Sequence, residues 1–242
     1  MMKIKGKTAL ITGGSKGIGL GIAEALLKEG VNVAITSRSL SKAEETAAKL
    51  NAKFDQAKAI GLKADVRNFQ EQQEAVQQTL KQFSQLDYVI ANAGLGHFAP
   101  IFELTEEQWK ETIDTNLSGV FYSAKASIDA LSKTKGYFIS ISSLAGCNFF
   151  AGGAAYNASK FGVTGFTQAM MLDVRDKGIK VSTIMPGSVS THFNGNNPNV
   201  NEEQEAWKIQ IEDLGEIVVN LFKMHPRTLP SKIEVRPAQT KK

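Results

Sequence analysis

Short β-rich apolar runs alternate with longer amphipathic stretches along nearly the whole chain, and this alternation constrains the fold more than any other feature. TALIT (8–12), VNVAITS (31–37), AIGLKAD (59–65), LDYVIANAG (86–94), YFISISS (137–143) and IKVSTIMPG (179–187) read as strands. Helical patterns fall between them, from Ile18 to Lys28, over 41–51 and 69–83, from Glu106 to Leu131, and over 154–176. Gly30 supplies a stop signal just past the first helix. The Gln-rich stretch 69–83 still reads as a helix, because Ala75, Val76, Leu80 and Phe83 keep an apolar stripe. Strands separated by helices of a dozen residues or more imply βαβ units and a parallel sheet. Right-handed crossovers then place helices on both faces. The expected fold is a single α/β domain over residues 1–242, a doubly wound parallel sheet of about seven strands, with 232–235 as the seventh.

With 242 residues, 42% of them apolar and 21% charged, the chain can bury one extensive core without disulfides or metals. Its one cysteine, Cys147, excludes an intramolecular disulfide and suits a reducing compartment. His97, His192 and His225 are too dispersed for a zinc site, so no metal is expected. The N-terminus has no apolar stretch of signal-peptide length, and no run approaches a membrane span. A net charge of +4 without a dense Lys/Arg block argues against nucleic acid. A cytoplasmic protein with neither membrane nor nucleic-acid partners is expected. GNNPNVNEE (195–203) is loop-like but too short to separate domains.

The first strand runs straight into Gly13-Gly14-Ser15-Lys16-Gly17-Ile18-Gly19 and then a helix. A glycine turn there lets the backbone approach a pyrophosphate, which meets the positive end of the helix. The spacing is G-x-x-x-G-x-G rather than the standard G-x-G-x-x-G. An acidic residue about 20 positions on would bind the ribose of NAD, yet no Asp or Glu lies between Glu29 and Glu44. Arg38 ends the second strand instead, and Lys16 sits in the turn. Two cations without a carboxylate suit a 2′-phosphate, so NADP(H) is preferred over NAD(H).

Tyr156 and Lys160 stand one helical turn apart and share a helix face. An ammonium beside a phenol favours the phenolate and lowers its pKa. Such a phenol can exchange a proton with an alcohol or carbonyl oxygen. On its own, Tyr-x-x-x-Lys is also compatible with an ordinary amphipathic helix.

Taken together, these residues resemble the classical short-chain dehydrogenases/reductases. Thr12 to Gly19 looks like the family's TGxxxGxG cofactor turn in a Rossmann-type sheet. Asp65-Val66 looks like its adenine-contacting pair, and Asn92-Ala93-Gly94 like its NAG element. Asn116 and Ser143 stand where the family places its catalytic Asn and Ser, and Tyr156/Lys160 match its YxxxK pair. Pro186-Gly187-Ser188-Val189-Ser190-Thr191 matches the PGxxxT segment that holds the nicotinamide. These matches run in family order from residue 8 to about 191.

The resemblance implies an NADP(H)-dependent oxidoreductase that interconverts a carbonyl and a secondary alcohol, with Tyr156 as general acid/base. Ser143 would hold the substrate oxygen, Lys160 would tune the tyrosine and hold the ribose, and Asn116 would support a proton-relaying water. A 3-oxoacyl-thioester reductase is the alternative within the family, and a catalytically idle NADP(H) sensor the alternative outside it. The family's usual glycine pair near the C-terminus is missing from LPSKIEVRPAQTKK, which leaves homodimer and homotetramer both open. The segment after Thr191 is short before a helix expected near Glu202, so a small substrate lid is expected. Phe149, Phe150, His97, Phe98, Cys147 and Phe193 fall in loops around the expected nicotinamide position. They suggest an apolar or aromatic small-molecule substrate with no strong demand for a carboxylate.

Overall fold

The computed structural model describes residues 2–191 and 205–239. Its seven strands are β1 (Thr8–Ile11), β2 (Asn32–Ser37), β3 (Ala59–Lys63), β4 (Tyr88–Ala91), β5 (Tyr137–Ile141), β6 (Lys180–Pro186) and β7 (Lys232–Val235). They form one sheet in the order β3-β2-β1-β4-β5-β6-β7. Every pairing is parallel. This is the doubly wound sheet expected from the alternation, with the order reversing between β1 and β4.

Strand periodicity sorts the core into two layers. Ala9 and Ile11 of β1 point into one cluster with Ile22 and Leu26 of α1 (Gly17–Lys28), Leu50 of α2 (Leu40–Lys53) and Leu214 of α7 (Ile211–Lys223). Leu10 points into the other, with Ala75 of α3 (Phe69–Phe83), Val120 of α5 (Gly119–Thr134) and Val163 of α6 (Ala154–Val174). Both sheet faces are thus buried, which is what a parallel sheet requires.

Helix starts follow the sequence. Ser39 caps α2, Asn68 caps α3, and Thr105 with Gln108 forms a capping box on α4 (Glu106–Ile113). Helix α1 has no side-chain cap, so the orphan amides of its first turn depend on something else.

One expectation is corrected. The helix read as continuous from Glu106 to Leu131 is interrupted by a π-helical turn, Asp114–Ser118, where Gly119 N donates to Asp114 O. The apolar pattern runs through this turn unbroken, so the extra residue leaves no periodic trace. The helix expected near Glu202 would begin outside the described residues. Within them Glu205 is helical, the chain turns at 206–208, and the next helix begins at Ile211. The expected small lid and Phe193 also fall outside the described residues.

Candidate active site

Because all strands run parallel, every strand C-terminus reaches the same edge of the sheet, where open α/β sheets bind ligands. The sequence-predicted residues converge there. Gly13, Ser15 and Lys16 follow β1, and Gly17, Ile18 and Gly19 open α1. Arg38 follows β2, Asp65 and Val66 follow β3, and Asn92 to Gly94 follow β4. Ser143 lies just beyond β5, and Pro186 to Thr191 end and follow β6.

Residues just after β4 clamp the glycine turn. Thr12 Oγ1 accepts from the amides of Asn92 (3.0 Å) and Ala93 (3.1 Å). Asn92 Nδ2 donates back to Thr12 O (2.9 Å) and Gly13 O (3.2 Å). Gly13 has φ +64°, and an added Cβ would stand 3.0 Å from Ala93 Cα. A Cβ on Gly19 would stand 2.6 Å from Asn92 Nδ2. Gly13 and Gly19 therefore occupy positions of the turn that only glycine fits. Thr191 lies across from Gly17, its Cγ2 3.6 Å from where a Cβ would be, so the segment after β6 meets the start of α1.

Lys160 is buried and donates to Ile141 O at 3.0 Å. Its Nζ lies 5.6 Å from the Tyr156 ring centroid. No carboxylate pairs with it among the described residues, and burial lowers its pKa to about 8. Tyr156 differs from the expectation of a phenol depressed by its neighbour. Burial pushes its pKa up, and a hydrogen bond with Ser143 only opposes that shift.

Strand alternation separates the adjacent serines. Ser142 Oγ is buried against α6, bonded to Lys160 O (3.1 Å) and Thr164 Oγ1 (3.0 Å). Ser143 and Tyr156 instead line one cavity of about 530 Å³, together with Phe149, Phe150, Gly187 and Trp207. Asn116 is fully buried in the π turn. Its Oδ1 accepts from Leu95 N (2.8 Å), and its Nδ2 donates to Leu95 O (2.8 Å) and Ser159 Oγ (3.0 Å). Its side chain is thus committed to the loop after β4 and to α6.

At the other end of the site, Arg67 chelates Asp65, with Nη2 2.6 Å from Oδ2 and Nε 3.0 Å from Oδ1. This pair, together with the nearby positive charge of Arg38, holds the Asp65 carboxyl below its ordinary range. Lys16 and Arg38 are exposed, at the ends of adjacent strands.

Residues 7–202 match the family model for short chain dehydrogenases. The chain belongs to that family. An uncharacterized oxidoreductase of Staphylococcus saprophyticus is 30% identical over 238 residues, covering 98% of this chain and all of that one. A 3-oxoacyl-[acyl-carrier-protein] reductase of Synechocystis is 34% identical over 81% of this chain and 79% of its own. A glycine betaine reductase of Emericella nidulans is 33% identical over 193 residues, and there the chain spans only 15% of the relative's length. Among solved structures, an alcohol dehydrogenase from the archaeon Thermococcus sibiricus, complexed with 5-hydroxy-NADP, superposes with a TM-score of 0.89. It is 29% identical and covers 98% of both chains. The protein is thus an oxidoreductase of the short chain dehydrogenase family, on a Rossmann-like sheet.

Several residues at this edge escape a reading by motif. Asn157 donates to Ala145 O and Asn148 O, both at 2.7 Å, and so pins the loop after β5 to α6. Phe98 packs edge-on against Tyr156, with centroids 5.3 Å apart. His97, expected near the substrate, instead pairs with Glu111 at 2.9 Å. Cys147 makes a 3.8 Å contact with Glu234. Arg236 and Gln239 reach the cavity from beyond β7. Their available signal was topological: a seventh strand parallel to β6 must also end at the ligand edge.

Proposed function

We propose that the protein interconverts a carbonyl and a secondary alcohol with NADP(H), using Tyr156 as general acid/base. The observation that carries this reading is the hydrogen-bonded Ser143–Tyr156 pair lining one cavity, with Lys160 buried behind it and the glycine cradle beside it. The cradle fits a dinucleotide. The uncapped first turn of α1 offers amides to a pyrophosphate, and at Gly17, where an added Cβ would meet nothing nearer than Thr191 Cγ2 at 3.6 Å, the backbone is open to approach. Lys16 and Arg38 offer cations to a 2′-phosphate, and Arg67 pairs with the nearby carboxylate of Asp65. When bound, the nicotinamide supplies or accepts the hydride.

In reduction, Tyr156 Oη gives its proton to the substrate oxygen while Ser143 Oγ stabilises the charge developing there. The raised pKa of Tyr156 keeps it protonated at neutral pH, as a proton donor must be. Lys160 places a cation one turn away and holds it by Ile141 O. Asn116, its side chain committed to Leu95 and Ser159, can serve a proton relay only through its main chain and by fixing the π turn. Asp65, Val66, Asn92, Ala93, Gly94, Pro186, Gly187, Val189 and Thr191 complete the proposed cofactor wall. A 3-oxoacyl thioester is a second candidate substrate, favoured by the likeness to the Synechocystis reductase.

Tyr156→Phe tests the central role. NADPH oxidation with a panel of ketones should fall by several orders of magnitude, with the NADPH dissociation constant changed less than about threefold. A residual rate near that of the unmodified protein would remove Tyr156 from the mechanism. Tight NADPH binding without turnover of any ketone or acetoacetyl thioester would favour a sensor.

A further inference from the structure

The cavity shared by Ser143 and Tyr156 has one charged lining residue among the described residues, Arg236. The remainder is apolar, aromatic or uncharged polar. Arg236 stands just beyond β7, where the parallel sheet delivers it to the ligand edge. Its Nη2 donates to Glu234 Oε2 at 3.0 Å, and Glu234 itself does not line the cavity. A guanidinium carries five N–H donors in a fixed fork, so one bond leaves most of them for another acceptor. The Arg236 side chain is 56% exposed, so its pair with Glu234 is weak and readily exchanged for a better-placed carboxylate.

We infer that this site selects keto acids, carbonyl compounds whose far end carries a carboxylate, with Arg236 as the residue that recognises the carboxylate. Phe149, Phe150 and Trp207 supply the apolar wall for the carbon skeleton between the two ends. The inference rests on the carbonyl-reductase reading and adds the substrate class. It reverses the expectation, drawn from loop phenylalanines alone, that a carboxylate is not demanded. The carbonyl carbon gains a hydride and its oxygen gains the Tyr156 proton. The product is the hydroxy acid with its carboxylate untouched, and NADPH is oxidised.

The test uses the full chain with NADPH and two matched ketones, 4-oxo-4-phenylbutanoate and its methyl ester. The acid should be preferred in kcat/KM by about tenfold or more, the size of one charge-assisted contact. That preference should lie in KM and shrink as salt is raised. Arg236→Gln should remove it, Arg236→Lys should keep part of it, and Glu234→Gln should increase it by releasing the guanidinium. A structural role for Arg236 would not move the acid-to-ester ratio in opposite directions at 236 and 234. Equal use of acid and ester, or a preference that survives Arg236→Gln, overturns the inference while leaving carbonyl reduction standing. If neither compound is reduced, calorimetric titration of the acid into the NADPH-loaded protein decides. Binding that is lost in Arg236→Gln supports the inference, and no binding overturns it.

Discussion

Lys160 bears the clearest electrostatic cost at the site. Burial takes its pKa from 10.5 to about 8, and no carboxylate among the described residues offsets the shift. Between those values the unfolded chain holds a proton that the folded chain has released, so the Lys160 contribution to stability rises with pH there. Below about pH 8 both states are protonated and the penalty is full and constant. Lys160→Met removes the titration and also the bond to Ile141 O, the latter a pH-independent loss. The stability of Lys160→Met relative to the unmodified protein should therefore fall by about 2 kcal/mol from pH 7.5 to 9.5 in urea melts without cofactor. A pH-independent difference would mean that Lys160 is not desolvated as its surroundings imply. At this scale the Tyr156/Lys160 pair was legible because one helical turn fixes its geometry. The contacts that shape it were not. The resemblance placed Asn116 and loop position placed Phe98 near it, but the Asn116–Ser159 bond and the edge-on contact of Phe98 with Tyr156 required the folded sheet.

Helices α1 and α7 show a conflict between local preference and packing. Gly21 lies inside α1, where replacing it by alanine would by itself gain about 0.5–1 kcal/mol. A Cβ there would stand 2.5 Å from Ile211 O, a backbone atom at the start of α7, that cannot turn aside. Gly215 of α7 returns the contact, its added Cβ reaching 2.8 Å from Gly21 O. Forcing such a contact costs about 1–3 kcal/mol or more, so the clash outweighs propensity. Gly21→Ala should lower the urea midpoint with an unchanged m-value, whereas a higher midpoint would show that α7 moves away without cost. The sequence displays the strands and most helices at this scale, since periods of 2 and 3.6 leave visible stripes. It hides the π turn at Asp114–Ser118, where Leu117 continues the apolar stripe from Ile113 to Val120, and it hides which glycines are contact points rather than stop signals.

Across the whole molecule, seven parallel strands gather distant segments at one edge, so a ligand bound there ties both halves of the sheet together. Binding to the folded state alone stabilises it by RT ln(1 + [L]/Kd), about 2.7 kcal/mol at a hundredfold excess over Kd. For a chain of this length each kcal/mol raises Tm by about 2–4 °C, so saturating NADPH should raise it by roughly 5–10 °C. The proposed preference for NADP(H) assigns part of that gain to the 2′-phosphate, through Lys16 of the β1 turn and Arg38 at the end of β2. NADH at the same concentration should therefore give a smaller shift. Arg38→Asp removes a cation and places a carboxylate where the phosphate would lie, close to the Asp65–Arg67 pair. The NADPH shift should then drop below the NADH shift, because Asp repels the phosphate yet can accept a bond from a 2′-hydroxyl. Equal shifts with both cofactors in the unmodified protein, or an NADPH shift that survives Arg38→Asp, would take the 2′-phosphate away from this corner of the sheet. Sequence alone pointed to Lys16 and Arg38 through the missing acidic residue. That Arg67 pairs with the neighbouring Asp65 required the folded chain, because a carboxylate two residues from an arginine reads equally well as unpaired surface.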